Sequence, residues 1–103
     1  MGTSDLVVLK QVKDDLNEGR VFYDLNEKGI GDYFYDTLVS DIESLWLYSG
    51  INPVICGLHR MLSKRFPFAV YYTIRNETTI VVAVLDLRRD PAWIREKLNS
   101  RKS

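Results

Sequence analysis

The 103 residues suffice for one domain with one core, and 46 % hydrophobic and 12 % aromatic residues exclude a disordered chain. A balance of 14 basic against 14 acidic side chains argues against a strongly basic nucleic-acid binder. A lone cysteine, Cys56, and a lone histidine, His59, exclude an internal disulfide framework and a thiolate–imidazole zinc cage.

The chain has no apolar run of the roughly 18–20 residues that a membrane-spanning helix needs. The segment Met1-Gly2-Thr3-Ser4-Asp5 lacks the basic stretch and apolar run of a secretory signal. Together with the single cysteine, this predicts a cytoplasmic protein without membrane contact. The neutral total conceals an asymmetry. Residues 1–50 hold four basic and ten acidic side chains, or −6, and residues 51–103 hold ten and four, or +6. Such a split suggests a locally basic surface for a polyanion or an acidic partner, although two halves packed together would also pair these charges.

Asp5 to Leu9 reads as a short strand. From Lys10 the spacing of Val12, Leu16, Gly19 and Tyr23, widened by Phe22 and Leu25, is helical. Gly19 within that helix suggests a close approach of another backbone. Gly29-Ile30-Gly31 closes this helix and opens the next. Phe34, Leu38, Ile42, Leu45 and Trp46 then mark a second helix over 32–48, with Asp32 and Asp36 near its start and Gly50 and Pro53 beyond its end. Asp14, Asp15, Asp36, Asp41 and Glu43 fit the solvated face of this helical hairpin.

The second half reads as strands. Residues 56–65 look extended, with a corner at Phe66-Pro67. Residues 68–74 are aromatic and β-branched, Arg75 to Thr78 form a hairpin turn, and residues 79–87 are apolar enough for a strand buried on both faces. Asp90-Pro91 caps and starts a short helix over 91–98, followed by a polar tail predicted to fray. The expected architecture is α+β, in the order β-α-α-β-β-β-(α). It consists of an antiparallel sheet with the helical hairpin (10–48) on one face and strands over 56–87, all in a single domain over 1–103.

Arg65-Phe66-Pro67-Phe68-Ala69-Val70-Tyr71-Tyr72, followed after the turn by Val81 to Pro91 (VVAVLDLRRDP), resembles the RelE/ParE superfamily of bacterial type II toxins. Asp14-Asp15-Leu16 and Gly29-Ile30-Gly31-Asp32-Tyr33-Phe34 are similar to that family's upstream segments, so the resemblance covers residues 5–98. It implies a toxin of a toxin–antitoxin system of the plasmid-stabilisation type, growth-inhibiting unless bound by its cognate antitoxin. The RelE branch implies a ribosome-dependent mRNA endonuclease, and the ParE branch a protein that inhibits DNA gyrase by binding, without catalysis. The RelE pattern has an arginine directly after the aromatic residue of the third strand, where this chain has Ala69. That departure, the Pro67 corner and the Gly-Ile-Gly hairpin place the resemblance nearer the ParE branch. A diverged, non-toxic member is the remaining alternative.

A nuclease of this kind needs no metal or cofactor, and neither is implied. It needs a general base, a general acid and cations at the phosphate. The candidates are His59, Arg60, Lys64, Arg65, Arg88 and Arg89, with Arg60 and Lys64 on one strand face and His59 and Arg65 on the other. The bland alternatives are a structural His59, an Arg88 and Arg89 paired with Asp86, Asp90 or a hairpin acid, tyrosines in the sheet core, and Cys56 as a small buried apolar residue. For antitoxin binding the candidate anchors are Phe22, Tyr23, Tyr33, Trp46, Arg88 and Arg89. A homodimer or a toxin–antitoxin hetero-oligomer is the expected assembly.

Overall fold

A computed structural model, describing residues 2–102, divides the chain much as its hydrophobic periodicity does. Strand β1 spans Asp5–Val8 and helix α1 spans Lys10–Asn26. Helix α1 buries Val12, Leu16 and Gly19 along one stripe, and α2 (Ile30–Glu43) buries Gly31, Phe34, Leu38 and Ile42. A one-turn helix, α3 (Leu45–Tyr48), continues α2. The single helix expected over 32–48 therefore starts earlier and is interrupted at Ser44, whose hydroxyl donates to the Asp41 carbonyl (2.6 Å). The corner between α1 and α2 is built by Asp24, whose carboxylate accepts the Gly29 and Gly31 N–H groups at 2.9 and 3.2 Å. Gly29 takes φ 95°, a conformation open to glycine. Gly19 does not admit a backbone. A side chain there would run into the Phe34 ring, and it is at Gly31 that a backbone comes close, the Arg20 carbonyl.

The second half contributes β2 (Val54–Ile55), β3 (Leu58–Leu62), β4 (Phe68–Arg75), β5 (Thr78–Asp86) and helix α4 (Pro91–Lys102). The segment read as one extended stretch over 56–65 is instead half of a hairpin. Cys56 and Gly57 form its two-residue turn with φ 55° and 79°, the signature of a primed turn, as do Asn76 and Glu77 between β4 and β5 (φ 50° and 64°). Cys56 is consequently exposed at a turn tip, not buried. Strand β3 also ends at Leu62, so Lys64 and Arg65 lie in the turn before β4 and share no strand face with Arg60 and His59.

The sheet order is β1-β5-β4-β3-β2. The meander β2 to β5 is antiparallel, as expected, but β1 pairs with β5 in parallel, so the sheet is mixed. The whole helical hairpin and three strands separate β1 from β5 in sequence, a connection long enough for a parallel neighbour. Phe68, Val70, Tyr72, Val81 and Val84 face the hairpin, while Ala69, Tyr71, Val82 and Leu85 face Leu98 and the flanking Trp93 and Ile94 of α4. Asp90 accepts the Ala92 N–H at 2.8 Å in its side chain and Pro91 opens α4, as the sequence indicates.

Helix α4 does not stop at residue 98. It runs on to Lys102 because Arg101 is anchored. Its guanidinium forks onto the Asp15 carboxylate at 2.6 and 2.8 Å, with both side chains under one tenth exposed. Of the hairpin acids read as solvated, Asp15 is thus buried, and Asp41 is half-buried with its Oδ2 shielded from solvent. The pair also completes the sheet. Strand β1 ends at Val8, opposite Val81, and beyond it the Val84 N–H donates to Asp15 (3.0 Å) while Arg101 donates to the Val82 carbonyl (3.2 Å). Two side chains replace the strand that is missing there. Among the described residues no helix is long and apolar enough to cross a membrane.

Candidate functional site

Strand β5 delivers Asp86 and the following Arg88 and Arg89 to one end of the sheet, beside the corner-proximal half of α1. Four aromatic rings fill that end from the inside. Phe34 lies 5.1 Å from Tyr23, 5.1 Å from Phe66 and 4.8 Å from Phe68, and Tyr23 lies 5.0 Å from Phe66. Phe22, half exposed, stands edge-on to Tyr23 at 5.1 Å, and the exposed Tyr33 meets Phe66 at 5.6 Å. Edge-to-face and offset pairs of this kind fix ring positions as well as burying area.

Arg88 lies across the outside of this cluster. Its guanidinium donates to Asp86 through Nε (3.0 Å) and Nη2 (2.8 Å), reaches the Tyr23 hydroxyl at 3.4 Å, and lies 5.6 Å from the centre of the Phe22 ring. Burial alone would raise the Asp86 pKa. The side-chain and backbone hydrogen bonds from Arg88 outweigh it and hold the carboxyl below its ordinary value. Burial raises the Tyr23 phenol despite the nearby Arg88. Arg89 turns the other way, its guanidinium carbon 4.2 Å above the Trp93 ring, with the Lys97 ammonium 5.5 Å from the same ring.

Because folding favours the ionised form of Asp86, its contribution to stability is complete above about pH 4 and disappears as pH falls through the lowered folded value. The melting midpoints of the wild type and Asp86→Asn are therefore expected to differ at pH 7 and converge on acidification below pH 4. A gap that persists undiminished in acid overturns this account.

Of the six candidate anchors, Phe22, Tyr23, Tyr33 and Arg88 form one continuous surface, and Arg89 adjoins it through Trp93. Trp46 does not belong there. It sits on α3 at the opposite end of the sheet, where its carbonyl accepts the Thr3 N–H. Trp93 lies outside the six candidate anchors, although its spacing of four residues from both Arg89 and Lys97 signals such a stack.

The nuclease candidates divide between two places. Lys64 and Arg65 lie in the turn before β4, at the end of the sheet where the Leu87 N–H donates to the Pro67 carbonyl (2.8 Å) next to Arg88 and Arg89, while His59 and Arg60 lie further along β3. The His59 ring lies flat on Tyr72 (5.0 Å, 18°), and its Nδ1 is 2.8 Å from the Asn52 carbonyl oxygen, a structural placement on the hairpin side. Arg60 alternates to the other side of the sheet, beside Tyr71, whose pKa burial raises. Tyr72, the strand partner of His59, pairs with Val81, and β5 runs about 17 Å further before its end at Asp86. The histidine is thus remote from the Arg88–Arg89 end. Among the described residues no group of three or more His, Cys, Asp or Glu is placed to hold a metal ion.

No protein-family model and no curated protein matches the chain. A solved structure does. A chain of the chromosomal ParDE TA system from P. aeruginosa superposes with a TM-score of 0.73 at 12 % identity, over 81 % of this chain and 95 % of that one. This chain has that fold. The α+β architecture is thereby shared with that chain at the level of the backbone, at an identity too low to carry side-chain roles across.

Proposed function

We propose that this protein is the toxin of a type II toxin–antitoxin pair, held inactive in the cytoplasm by a cognate antitoxin and acting on DNA gyrase by binding. The observation that carries this reading is the aromatic–arginine end of the sheet, on a backbone shared with a ParDE-system chain. Phe22, Tyr23 and Tyr33 offer rigid amphipathic area, and Arg88 and Arg89 offer charge to an acidic segment, the combination that dominates protein interfaces. The distance of His59 from the arginines favours a binding protein over an RNA endonuclease.

The test is calorimetry with the product of the neighbouring reading frame. Binding is expected, and Phe22→Ala combined with Arg89→Glu is expected to weaken it at least tenfold, about 1.4 kcal/mol or more. The melting point of that variant serves as the control for folding. In a supercoiling assay, the free protein is expected to inhibit gyrase at micromolar concentration, and inactivity there removes the gyrase assignment. New message cuts in a primer-extension assay with ribosomes would replace it with the nuclease reading.

A further inference from the structure

The outer edge of β3 is only half used. The Ser63 N–H donates to the Phe68 carbonyl at 2.9 Å, so by antiparallel alternation His59 and Met61 turn their backbone groups to β4, and Arg60 and Leu62 turn theirs outward. Strand β2 meets the first part of that edge, and its last contribution is the Pro53 carbonyl, which accepts the Arg60 N–H at 2.9 Å. Proline has no N–H to return. The Arg60 carbonyl and both backbone groups of Leu62 therefore have no partner among the described residues. They form the floor of an open groove of about 710 Å³, walled by the end of α2, by Tyr48 of α3 and by Ile51 to Pro53. Leu62, Tyr48 and Ile51 are all more than half exposed there.

We propose that this open half-edge takes an extended acidic peptide segment as a sixth strand of the sheet. Free alternating backbone donors and acceptors call for an extended backbone, because a helix has none to offer in its middle. Three features fix the side-chain chemistry. The exposed apolar residues suit an apolar side chain on alternate positions. Lys64, exposed at the rim of the groove, supplies the positive charge. The only acid lining the groove, Asp41, keeps its Oδ2 buried. A second copy of this chain fits poorly. Because β3 ends at Leu62, two-fold antiparallel pairing centred there would run past the strand end, bringing Arg60 towards the turn residue Lys64 of the other copy, a like-charge contact. This edge is separated from β5 and its arginines by β4, and the proposal does not depend on the toxin assignment.

The experiment titrates the ¹⁵N-labelled full chain with a blocked heptapeptide of alternating Glu and Val, and separately with its Lys–Val counterpart. In the free protein the Leu62 amide is expected to exchange quickly with solvent. On addition of the acidic peptide it is expected to shift and to become at least tenfold protected, with the Lys–Val peptide without effect. Lys64→Glu is expected to invert that preference. Leu62→Pro, tolerable at an edge, is expected to abolish binding with the melting point unchanged. Should that variant not fold, the Lys64→Glu arm decides. Three results would each overturn the proposal: no shift of Leu62 at millimolar acidic peptide, equal response to both peptides, or a Leu62 amide already protected in a manner that grows with protein concentration. The last would assign the edge to a second copy. None of these readouts uses an antitoxin or gyrase, so a negative result leaves the toxin reading standing, and failure of that reading leaves this one intact.

Discussion

Asp15→Ala is expected to destabilise the fold by about 3–5 kcal/mol, because it leaves the Arg101 guanidinium buried without its counter-charge. For a domain of this size that lowers the melting midpoint by roughly 12 °C or more. Arg101→Ala is expected to cost a similar amount and additionally to free the last turn of α4, which no other buried side chain beyond Leu98 holds. Thermal melts followed by circular dichroism give the first quantity, and amide exchange of residues 99–102 gives the second. A loss under 1 kcal/mol for both variants would show that the pair is dispensable.

A double replacement separates the ionic from the architectural role. Buried ion pairs are often replaced by apolar residues at no cost. Asp15→Leu with Arg101→Met should then recover most of the loss if charge pairing were all that mattered. Here it is expected to recover only part. The carboxylate also receives the Val84 N–H, and the guanidinium also donates to the Val82 carbonyl. Removing both side chains orphans two β5 backbone groups, at about 1–3 kcal/mol for each buried group left unpaired.

The same pair shows where sequence reading reaches its limit. The helical hairpin, the β3–β5 meander, the Asn76-Glu77 turn and the Asp90-Pro91 helix start are all written in local spacing and turn chemistry. Asp15 reads as a solvated acid by residue type, yet it lies three residues after Val12 and four before Gly19, on the buried stripe. That position was a visible signal. Its partner lies 86 residues away, in a tail whose composition reads as fraying, and no local pattern joins the two. The missed hairpin at Cys56-Gly57 is similar. Gly57 is a turn residue, but Leu58-His59-Arg60-Met61-Leu62 shows no alternation, and a two-residue strand is too short to carry a period. The parallel placement of β1 is a property of topology, set by which strand edge remains free once the meander has formed. At the candidate site, the aromatic surplus on α1 was legible in the sequence. That Trp46 points to the other end of the sheet depends on the length of α2, since each helical residue advances the chain about 1.5 Å.

Phe34→Ala is the second change expected to have a large effect, about 3–5 kcal/mol, through the cavity left by a fully buried ring. Its consequences extend beyond stability. Phe34 supports Tyr23 from below and holds Phe66 and Phe68 beside it, and Tyr23 in turn supports Phe22 and meets Arg88. Loss of that ring is expected to loosen the whole aromatic–arginine surface without touching an exposed residue. Gly19 makes the assignment testable. Gly19→Ala places a methyl group against the Phe34 ring, an overpacking expected to cost about 1–3 kcal/mol. If that clash is the reason, combining Gly19→Ala with Phe34→Leu should cost less than the sum of the two single changes, because the smaller side chain makes room for the methyl group. Strict additivity in chemical denaturation would instead place the cost of Gly19→Ala elsewhere in α1. The near-ultraviolet dichroism of the tyrosines reports separately on whether the ring cluster keeps its order.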